Sequence, residues 1–405
     1  MSFRVCIGLA AAFVALSACD NVGTDGSPVP LTPQSAAAMS PGDLRASLTE
    51  FGQISTADLD LRFAGYSDYN PLFSSGLWVA GTQGGETRVN AIYYENGTSN
   101  YGPCGDGTGG VFSLSADVTY RSEGWPAAAG APVTADGRPR VYGDEMLWTS
   151  LCSVPADANS LQDRPLSGLR TNVAVYRYDD DALTYYVRYE LRNEGTEPIS
   201  DAYLGQWSDP DWYEAQDNLS GWDTDRALSY VYLTERINPA YTARGGELRT
   251  SQERGRVTGV AVLQTPSDAP LAGHRRLDKN VPGPTNGYLS TSSGYTYEAY
   301  RNALKGLGND GSTLTDPMGT PSRFAFTGDP VAQTGWLDGV SRDGSVEGRE
   351  LRDLVSAGPF DLAPGESAAF SVVWAVAVGT DLAGGLGMLR QTVDEARATT
   401  ARWRF

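Results

Sequence analysis

The segment Leu183-Thr184-Tyr185-Tyr186-Val187-Arg188-Tyr189-Glu190-Leu191-Arg192 has a clear alternating pattern of apolar and polar side chains. Apolar and aromatic side chains stand at every second position, and most of the side chains between them are polar. A period of two is typical of a β-strand that buries one of its faces. The stretch therefore predicts a half-buried strand near the middle of the chain.

The segments on either side of this strand predict its partners. Upstream, Asn172 to Tyr178 has the composition of a strand, and Asp179-Asp180-Asp181 supplies the residues of a hairpin turn. Downstream, a second turn signal at residues 193–198 leads into Ile199 to Trp207. This order predicts an antiparallel meander of three consecutive strands.

Strand signals also dominate the rest of the chain. They combine β-branched and aromatic residues with flanking turn residues, and they cover Gly76–Ala80, Arg88–Tyr94, Val111–Tyr120, Leu228–Leu233, Val257–Gln264, Arg323–Thr327 and Ala368–Gly379. A convincing helical period appears only from Leu382 to about Arg402. Its apolar stripe consists of Leu386, Leu389, Val393 and Ala396. A shorter helical candidate, Tyr297–Leu307, lies in a loop-rich stretch from His274 to Pro321.

Together these signals predict the fold class. We expect an all-β protein built as an antiparallel β-sandwich module or modules, with long loops and one C-terminal helix.

The N-terminus carries an export signal. Arg4 provides a positive charge, and Val5 to Leu16 is apolar but too short for a permanent membrane span. The next residues, Leu16-Ser17-Ala18-Cys19, resemble the lipobox of bacterial lipoprotein signal peptides. The resemblance implies cleavage before Cys19 and lipidation of its thiol. An ordinary secretory signal that ends near a cysteine is the alternative.

These signals divide the chain into residues 1–18 as signal peptide, 19–40 as flexible tether and 41–405 as β-rich ectodomain. Gly, Ser, Pro, Thr and Ala dominate the tether, and such a composition buries too little apolar surface to fold. The ectodomain has the length of one large domain or of two packed lobes with a break near residues 240–320. We expect a cell-envelope protein that its lipid anchors to the inner or outer membrane, with the ectodomain in the periplasm or at the cell surface.

Charge and histidine content exclude two classes of function. The formal charge is −18 at pH 7 and there is no basic stripe, so no nucleic-acid partner is expected. His274 is the single histidine, which rules out a zinc site built from several histidines. No Gly-x-Ser-x-Gly motif accompanies it to support a Ser-His-Asp triad. Its polar context, Ala272 to Arg276, predicts a surface histidine.

Two of the four cysteines belong to the N-terminal signal, since Cys6 leaves with the signal peptide and Cys19 is the predicted lipidation site. The other two, Cys104 and Cys152, lie in Gly/Pro/Ser-rich sequence. An even pair in an oxidising compartment predicts a disulfide. Two separate buried thiols are the alternative.

The segment from Trp207 to Asp225 is rich in acids and tryptophans. Its aspartates are Asp209, Asp211, Asp217, Asp223 and Asp225. Calcium takes about six to eight oxygen ligands, and clustered carboxylates repel one another without a cation. We therefore predict calcium as a cofactor with these aspartates as its ligands, although the spacing is not that of an EF-hand. A solvated loop without an ion and a catalytic carboxylate pair are the alternatives.

The three tryptophans of the same segment have two interpretations. They are Trp207, Trp212 and Trp222. Indole rings stack on the apolar faces of sugars, which makes these residues possible ligand-stacking groups. Beside strands, they also serve as packing residues.

Several blocks of the chain resemble large secreted β-rich proteins of Gram-negative bacteria, many of which carry a C-terminal type IX sorting domain. The blocks are Phe73–Gly81, Gly143–Trp148, Asp201–Tyr232, Phe326–Pro330 with Thr334–Asp338, and Ser356–Gly365. The resemblance implies one continuous β-rich module from residue 73 to about 402, and it implies no activity. Two departures are the lipobox and the end of the sequence at Phe405 without a sorting domain.

The function predicted from these features is that of a lipid-anchored, calcium-stabilised envelope protein. It would be a non-enzymatic module that binds a glycan or another envelope protein. One alternative is a structural subunit of a surface or filament assembly. Another is a glycoside hydrolase that pairs Asp209 or Asp211 with Glu214 or Asp223.

Overall fold

The computed structural model describes residues 28–40, 44–56, 72–92, 100–154, 164–180, 183–212, 215–237, 244–278, 297–340, 348 and 350–401. The predicted signal peptide, Cys19 and the first part of the predicted tether lie outside the described residues, and so does Glu214.

Within these ranges the chain forms seventeen strands and three α-helices. The strands of the first half are β1 (Ala36–Ala38), β2 (Ala46–Thr49), β3 (Ile54–Thr56), β4 (Ser74–Gln83), β5 (Glu86–Ala91), β6 (Tyr101–Pro103), β7 (Phe112–Ser115), β8 (Glu145–Ser153) and β9 (Leu169–Arg177). The others are β10 (Thr184–Asn193), β11 (Ile199–Asp209), β12 (Asn218–Asp223), β13 (Leu228–Leu233), β14 (Arg256–Gln264), β15 (Leu271–Asp278), β16 (Leu351–Leu362) and β17 (Ser367–Val378). The helices are α1 (Ser251–Arg254), α2 (Tyr297–Leu304) and α3 (Leu382–Ala401).

The strands form two antiparallel sheets that pack face to face as a sandwich. Sheet 1 has the order β1-β2-β3-β4-β11-β16-β15, with β5 paired to β4. Sheet 2 has the order β12-β13-β14-β17-β10-β9-β8-β6, with β7 paired to β8. The predicted antiparallel β-sandwich with one C-terminal helix, which is α3, is therefore confirmed.

The main core lies between the two sheets. Sheet 1 contributes apolar side chains such as Leu77, Leu204 and Val355, and sheet 2 contributes Val187 and Trp374. The alternate residues of β10 that the sequence predicted to be buried, Tyr185, Val187, Tyr189 and Leu191, all belong to this core. Period-two alternation correctly identified the inward face, because successive side chains of a strand point to opposite sides of its sheet.

The predicted three-stranded meander is wrong in its third strand. Strands β9 and β10 do form an antiparallel hairpin. After β10, however, residues 194–198 carry the chain to the other sheet, where β11 pairs with β4 and β16. The second edge of β10 is taken by β17, which begins only at Ser367. A turn signal shows that the chain reverses, and it does not show which sheet receives the next strand.

Helices and loops cover the outer faces of both sheets. The predicted stripe of α3, including Leu386, Leu389 and Val393, packs on the outer face of sheet 2. Helix α3 begins tightly against the start of β14, since a Cβ on Gly385 would lie 2.1 Å from the carbonyl oxygen of Gly255. Helix α2 covers the outer face of sheet 1. None of the described helices has both the length and the apolar character needed to cross a bilayer.

Two expectations about domain organisation change. The tether predicted for residues 19–40 is ordered at its end, since Ala36–Ala38 forms β1 and pairs with β2, and Met39 is fully buried. Small residues such as alanine pack in a sheet edge once a partner strand is present, which composition does not reveal. Each sheet also combines strands from the early and late parts of the chain. A division near residues 240–320 would separate hydrogen-bonded neighbours such as β14 and β13.

Candidate functional site

The five aspartates predicted as calcium ligands do not converge on one point. Asp209 is 2% exposed, and its Oδ2 lies 3.0 Å from Nη2 of Arg352. Asp217 is 1% exposed, and its Oδ2 accepts a hydrogen bond of 2.6 Å from Nη2 of Arg249. These two carboxylates therefore have buried guanidinium partners.

The remaining aspartates of the predicted site are equally separate. Asp223 accepts a hydrogen bond of 2.8 Å from Nε of Arg390 on α3. Asp225 is exposed and Asp211 is half-buried. Across the described part of the chain, no three His, Cys, Asp or Glu side chains are placed to hold a metal ion. The predicted ligand set was wrong as a single site, because arginines from distant strands and from α3 balance the acids. Calcium binding itself stays a prediction.

The three tryptophans of this segment are packing residues. Trp207 is 1% exposed and stacks on Trp78, with ring centroids 6.1 Å apart. Trp212 is fully buried, and its Nε1 donates a 3.0 Å hydrogen bond to the carbonyl of Arg256. Trp222 is 2% exposed and stacks on His274 at 5.1 Å. A sugar cannot reach any of these ring faces in the structure, so the ligand-stacking interpretation is wrong.

His274 lies at the centre of a polar network buried between the sheets and not at the surface. Its Nδ1–H donates to the carbonyl of Ala325 over 2.9 Å, and its Nε2 lies 3.1 Å from Oγ of Ser229. Both Ser229 and Ser220 donate hydrogen bonds of 2.9 Å to the carboxylate of Asp353. The surface prediction failed because the polar sequence around His274 is strand β15, which residues 323–325 and β16 enclose.

This network resembles a catalytic triad in composition and differs from one in geometry. In a triad the carboxylate holds Nδ1 of the histidine and the serine faces the substrate. Here Asp353 contacts both serines, and Nδ1 faces a backbone carbonyl. The four side chains are between 0% and 4% exposed. We therefore assign the network to bridging the sheets, with the serines on sheet 2 and His274 and Asp353 on sheet 1.

Cys104 and Cys152 are joined by a disulfide. Cys152 lies on β8, and Cys104 directly follows β6, which pairs with the same part of β8. The bridge therefore fastens the edge of sheet 2 to its neighbouring strand.

An open cleft with a volume of about 690 Å³ lies at the opposite edge of sheet 2. Strands β12 and β13, helix α1, the segment 330–340 and the start of α3 all contribute to its walls. Its buried floor consists of Leu219, Tyr232, Leu233, Pro330, Asp338 and Leu382. Its more exposed rim consists of Glu235, Arg236, Ser251, Arg254, Val331, Gln333, Leu337, Val340, Asp381 and Ala383. The size matches ligand pockets of about 300–1,000 Å³.

The polar groups of the cleft are of both signs. Asp338 is 1% exposed, forms an ion pair with Arg276, and accepts a 2.8 Å hydrogen bond from the backbone N–H of Ser220. At the rim, Arg254 lies 3.6 Å from Glu235. Burial, and secondarily the negative charge of Asp338, raises the pKa of Tyr232 far above its usual value. The Tyr232 phenol therefore stays neutral at physiological pH.

Sequence reasoning missed this cleft. Its residues come from five separated segments, and only Leu219 lies in a segment of unusual composition, the acidic one from Trp207 to Asp225. One local signal was available: Thr250 and Glu253 have the spacing of a capping box, and the structure contains that box at the start of α1. The signal would have located α1 but not the surface that it lines.

Comparisons with known proteins give distant similarities of fold. No family model and no curated protein matches the chain. Among solved structures, the chain is similar to "Polysaccharide Lyase BACCELL_00875", with 10% identity, 87% of this chain covered and a TM-score of 0.28. It is similar to a putative kojibiose phosphorylase from the human microbiome, with 5% identity, 93% covered and a TM-score of 0.31. The chain spans 33% of the length of each of these two proteins.

A third similarity extends over a whole protein. A putative aldose 1-epimerase from Escherichia coli K12 shares 11% identity, and the match covers 86% of this chain and 99% of the epimerase at a TM-score of 0.29. All three titles name enzymes, and the prediction of a non-enzymatic module is withdrawn. TM-scores this low transfer no activity to this chain.

Proposed function

We propose that this protein is a carbohydrate-binding β-sandwich protein and that the cleft at the β12–β13 edge of sheet 2 is its glycan site. One observation carries the proposal: an open cavity of about 690 Å³ combines an apolar floor with a rim of both carboxylates and guanidinium groups.

Both parts of that lining suit a sugar. The carbon-bound hydrogens of a pyranose ring form apolar faces, and Leu219, Tyr232 and Leu382 offer an apolar floor for them. Sugar hydroxyls both donate and accept hydrogen bonds, so they need acceptors such as Glu235 and donors such as Arg254 in the same cleft.

Charge favours a neutral glycan over a strongly anionic one. The formal charge of the chain is −18, and three of the five charged groups lining the cleft are acids. A polyanion would meet a repulsive field on approach. A neutral mono- to oligosaccharide would meet no such repulsion. Its hydroxyl groups would form hydrogen bonds with the carboxylates and guanidinium groups of the rim.

The test is a glycan screen followed by calorimetry with the double variant Arg236→Ala/Arg254→Ala. The two guanidinium groups line the rim, so we expect the affinity for the selected neutral glycan to fall at least about tenfold, as for lost hydrogen bonds to charged groups. The matched control is Arg121→Ala/Arg138→Ala, which makes the same charge change on exposed arginines outside the cleft.

The outcomes separate clearly. Binding that the cleft variant weakens and the control keeps supports the proposal, whether or not the bound glycan is also converted to product. Product formation, followed as new reducing ends or unsaturated sugars, would identify the site as catalytic. A wild-type protein that binds no neutral glycan, or whose binding is the same in both double variants, would contradict the proposal.

We also propose that Cys19 carries a lipid and places the sandwich in the cell envelope. The lipobox-like Leu16-Ser17-Ala18-Cys19 supports this location. A glycan-binding site and an envelope location are compatible, because polysaccharides surround the envelope.

A further inference from the structure

We propose that the Cys104–Cys152 disulfide is a thiol-exchange site: a dithiol reductant attacks Cys152, and Arg170 stabilises Cys104 as the leaving thiolate. This inference is independent of the proposed glycan site, which lies at the other edge of sheet 2. Three features of the disulfide's surroundings support it.

The first feature is a guanidinium group in direct contact with one of the two sulfurs. Nη1 of Arg170 lies 3.2 Å from Sγ of Cys104, within hydrogen-bond distance for sulfur. Oγ of Ser150 lies 3.7 Å from the same sulfur. Arginines beside a cysteine favour its thiolate form, so these contacts favour departure of Cys104 with the electron pair.

The second feature is the difference in exposure between the two sulfurs' residues. Cys104 is 4% exposed, whereas Cys152 is half-buried. The Cys152 side of the bond is therefore the more exposed one, which favours attack of an external thiolate there. Thiol–disulfide exchange depends on which sulfur is accessible and on how well the other sulfur leaves. The exposure of Cys152 and the contact of Arg170 with Cys104 both favour attack on Cys152 and departure of Cys104.

The third feature is that Arg170 is held in place and stays charged. Its Nη2 donates to Asp106 over 2.6 Å and its Nε donates to Glu194 over 2.9 Å. Burial opposes the charge, but these carboxylates raise the pKa of Arg170 above its usual value. The two acids contact the guanidinium group directly through Nη2 and Nε and offset part of its charge. The third nitrogen, Nη1, contacts Sγ of Cys104 and the hydroxyl groups of Ser150 and Thr108.

The exchange balances as an ordinary two-step transfer. The thiolate of the dithiol bonds to Sγ of Cys152, the Cys104–Cys152 bond breaks, and its electron pair stays on Sγ of Cys104. The second thiol of the reductant, as thiolate, then displaces Cys152 and closes the reductant's own disulfide. Two electrons pass from the dithiol to the protein, and the two protons of the dithiol go to Cys152 and to solvent or Cys104.

Reduction has a structural consequence at the edge of sheet 2. The segment 104–108 is held by the disulfide and by the contact of Arg170 with Asp106. The hydroxyl of Thr108, together with Arg170, lowers the pKa of Asp106 to about 2, so this carboxylate remains charged. After reduction the segment loses its covalent link to β8, and it keeps these polar contacts, the contact of Arg170 with Thr108 and the short pairing of β6 with β8.

The experiment uses the full-length chain with Cys6→Ser and Cys19→Ser, so that only Cys104 and Cys152 remain. Brief exposure to glutathione followed by N-ethylmaleimide and peptide mass spectrometry identifies which sulfur is attacked. We expect glutathione on Cys152 and maleimide on Cys104. Glutathione on Cys104, or equal amounts on both, would overturn the proposal.

A second measurement isolates Arg170. The rate of reduction by dithiothreitol at pH 7 is expected to fall about tenfold in Arg170→Met, because the leaving thiolate loses its cation. The control is Arg177→Met, on the same strand, which loses a comparable ion pair with Glu145. Equal rates in the two variants would contradict the role of Arg170. Circular dichroism of the oxidised proteins checks that both variants fold.

Discussion

At the scale of single residues, the aspartates of the acidic segment form ion pairs with arginines from distant parts of the chain. Asp209 and Asp217 would repel each other and their neighbours if they were alone. Arg352 on β16 and Arg249 before α1 reach them in the folded protein. No spacing rule within residues 207–225 could have identified these partners, because they lie more than thirty residues further along the chain.

The buried pair of Arg249 and Asp217 leads to a stability prediction. Both side chains are between 0% and 1% exposed. Arg249→Met leaves the Asp217 carboxylate buried without this cation, so we expect the free energy of unfolding to fall by about 3–5 kcal/mol. Urea denaturation of the wild type and the variant measures the change.

A control pair and calcium complete this test. Arg138→Met removes one member of an exposed ion pair whose side chains are 52% and 55% exposed, and it should change the stability far less than Arg249→Met does. Melting of each protein is repeated with calcium and with EGTA. Two results together would contradict the ion pair. They are an Arg249→Met variant as stable as the wild type and a melting temperature of that variant that rises with calcium. Asp217 would then be neutralised by a bound ion and not by Arg249.

At the scale of elements, two connections between consecutive strands resemble hairpin turns in the sequence but join one sheet to the other. We call each of these connections a corner. Strand β10 belongs to sheet 2 and β11 to sheet 1, and β16 belongs to sheet 1 and β17 to sheet 2. The two connections lie against each other and share Asn193, which is fully buried. Its backbone N–H donates to the carbonyl of Glu366, and its carbonyl accepts from Gly365.

The side chain of Asn193 joins the same two corners. Its Nδ2 donates to the carbonyls of Glu197 and Leu362, at 2.9 and 3.0 Å, and its Oδ1 accepts from the backbone N–H of Gly195. Asn193→Ala removes these hydrogen bonds and leaves buried backbone groups without them. We expect a loss of about 2–4 kcal/mol in the free energy of unfolding, measured by chemical denaturation.

The control for this prediction lies in the same corner. Ser200 is exposed, and its hydroxyl makes only a long contact of 3.4 Å with the carbonyl of Thr82. Ser200→Ala should therefore change stability by less than about 0.5 kcal/mol. Similar effects of Asn193→Ala and Ser200→Ala would show that the corner does not depend on the amide.

Element identity was more predictable than element pairing. Leu228–Leu233 was predicted with its observed bounds, and the helix from Leu382 was predicted within a residue or so of its end. Arg323–Thr327 is not a strand but an irregular segment with a single bridge from Phe324 to His274. The twelve-residue strand β16 was missed, since eight consecutive buried positions hide the alternation that marks a half-buried strand.

At the scale of the whole molecule, the sandwich closes because late strands pair with early ones. Strand β16 lies between β11 and β15, and β17 lies between β10 and β14. This long-range pairing brings four parts of the chain together: β12, α1, segment 330–340 and α3. They form the walls of the candidate glycan cleft.

The predicted lipid anchor is a property of the whole protein and is tested in cells. Cys19→Ser should move the protein from the membrane fraction to the soluble fraction, because acyl chains contribute about 0.8 kcal/mol per buried CH₂ to membrane binding. Fractionation and immunoblotting measure the distribution. The control is Ser17→Ala, which keeps a small residue at that position of the lipobox and should leave the protein with the membrane. Retention of the Cys19→Ser variant in membranes would refute the anchor.

Features that depend on neighbouring residues could be predicted from the sequence: the period of β10, the helical stripe of α3 and the acidic character of the chain. These features follow from side-chain spacing along the backbone and from composition, which need no partner. The folded structure was needed to show which sheet receives β11, which arginines neutralise the aspartates, why His274 is buried, and where the cleft lies. Each of these depends on contacts between residues distant in sequence. Such contacts arise when strands pair, and strand pairing depends on burial and hydrogen bonding across the whole sandwich.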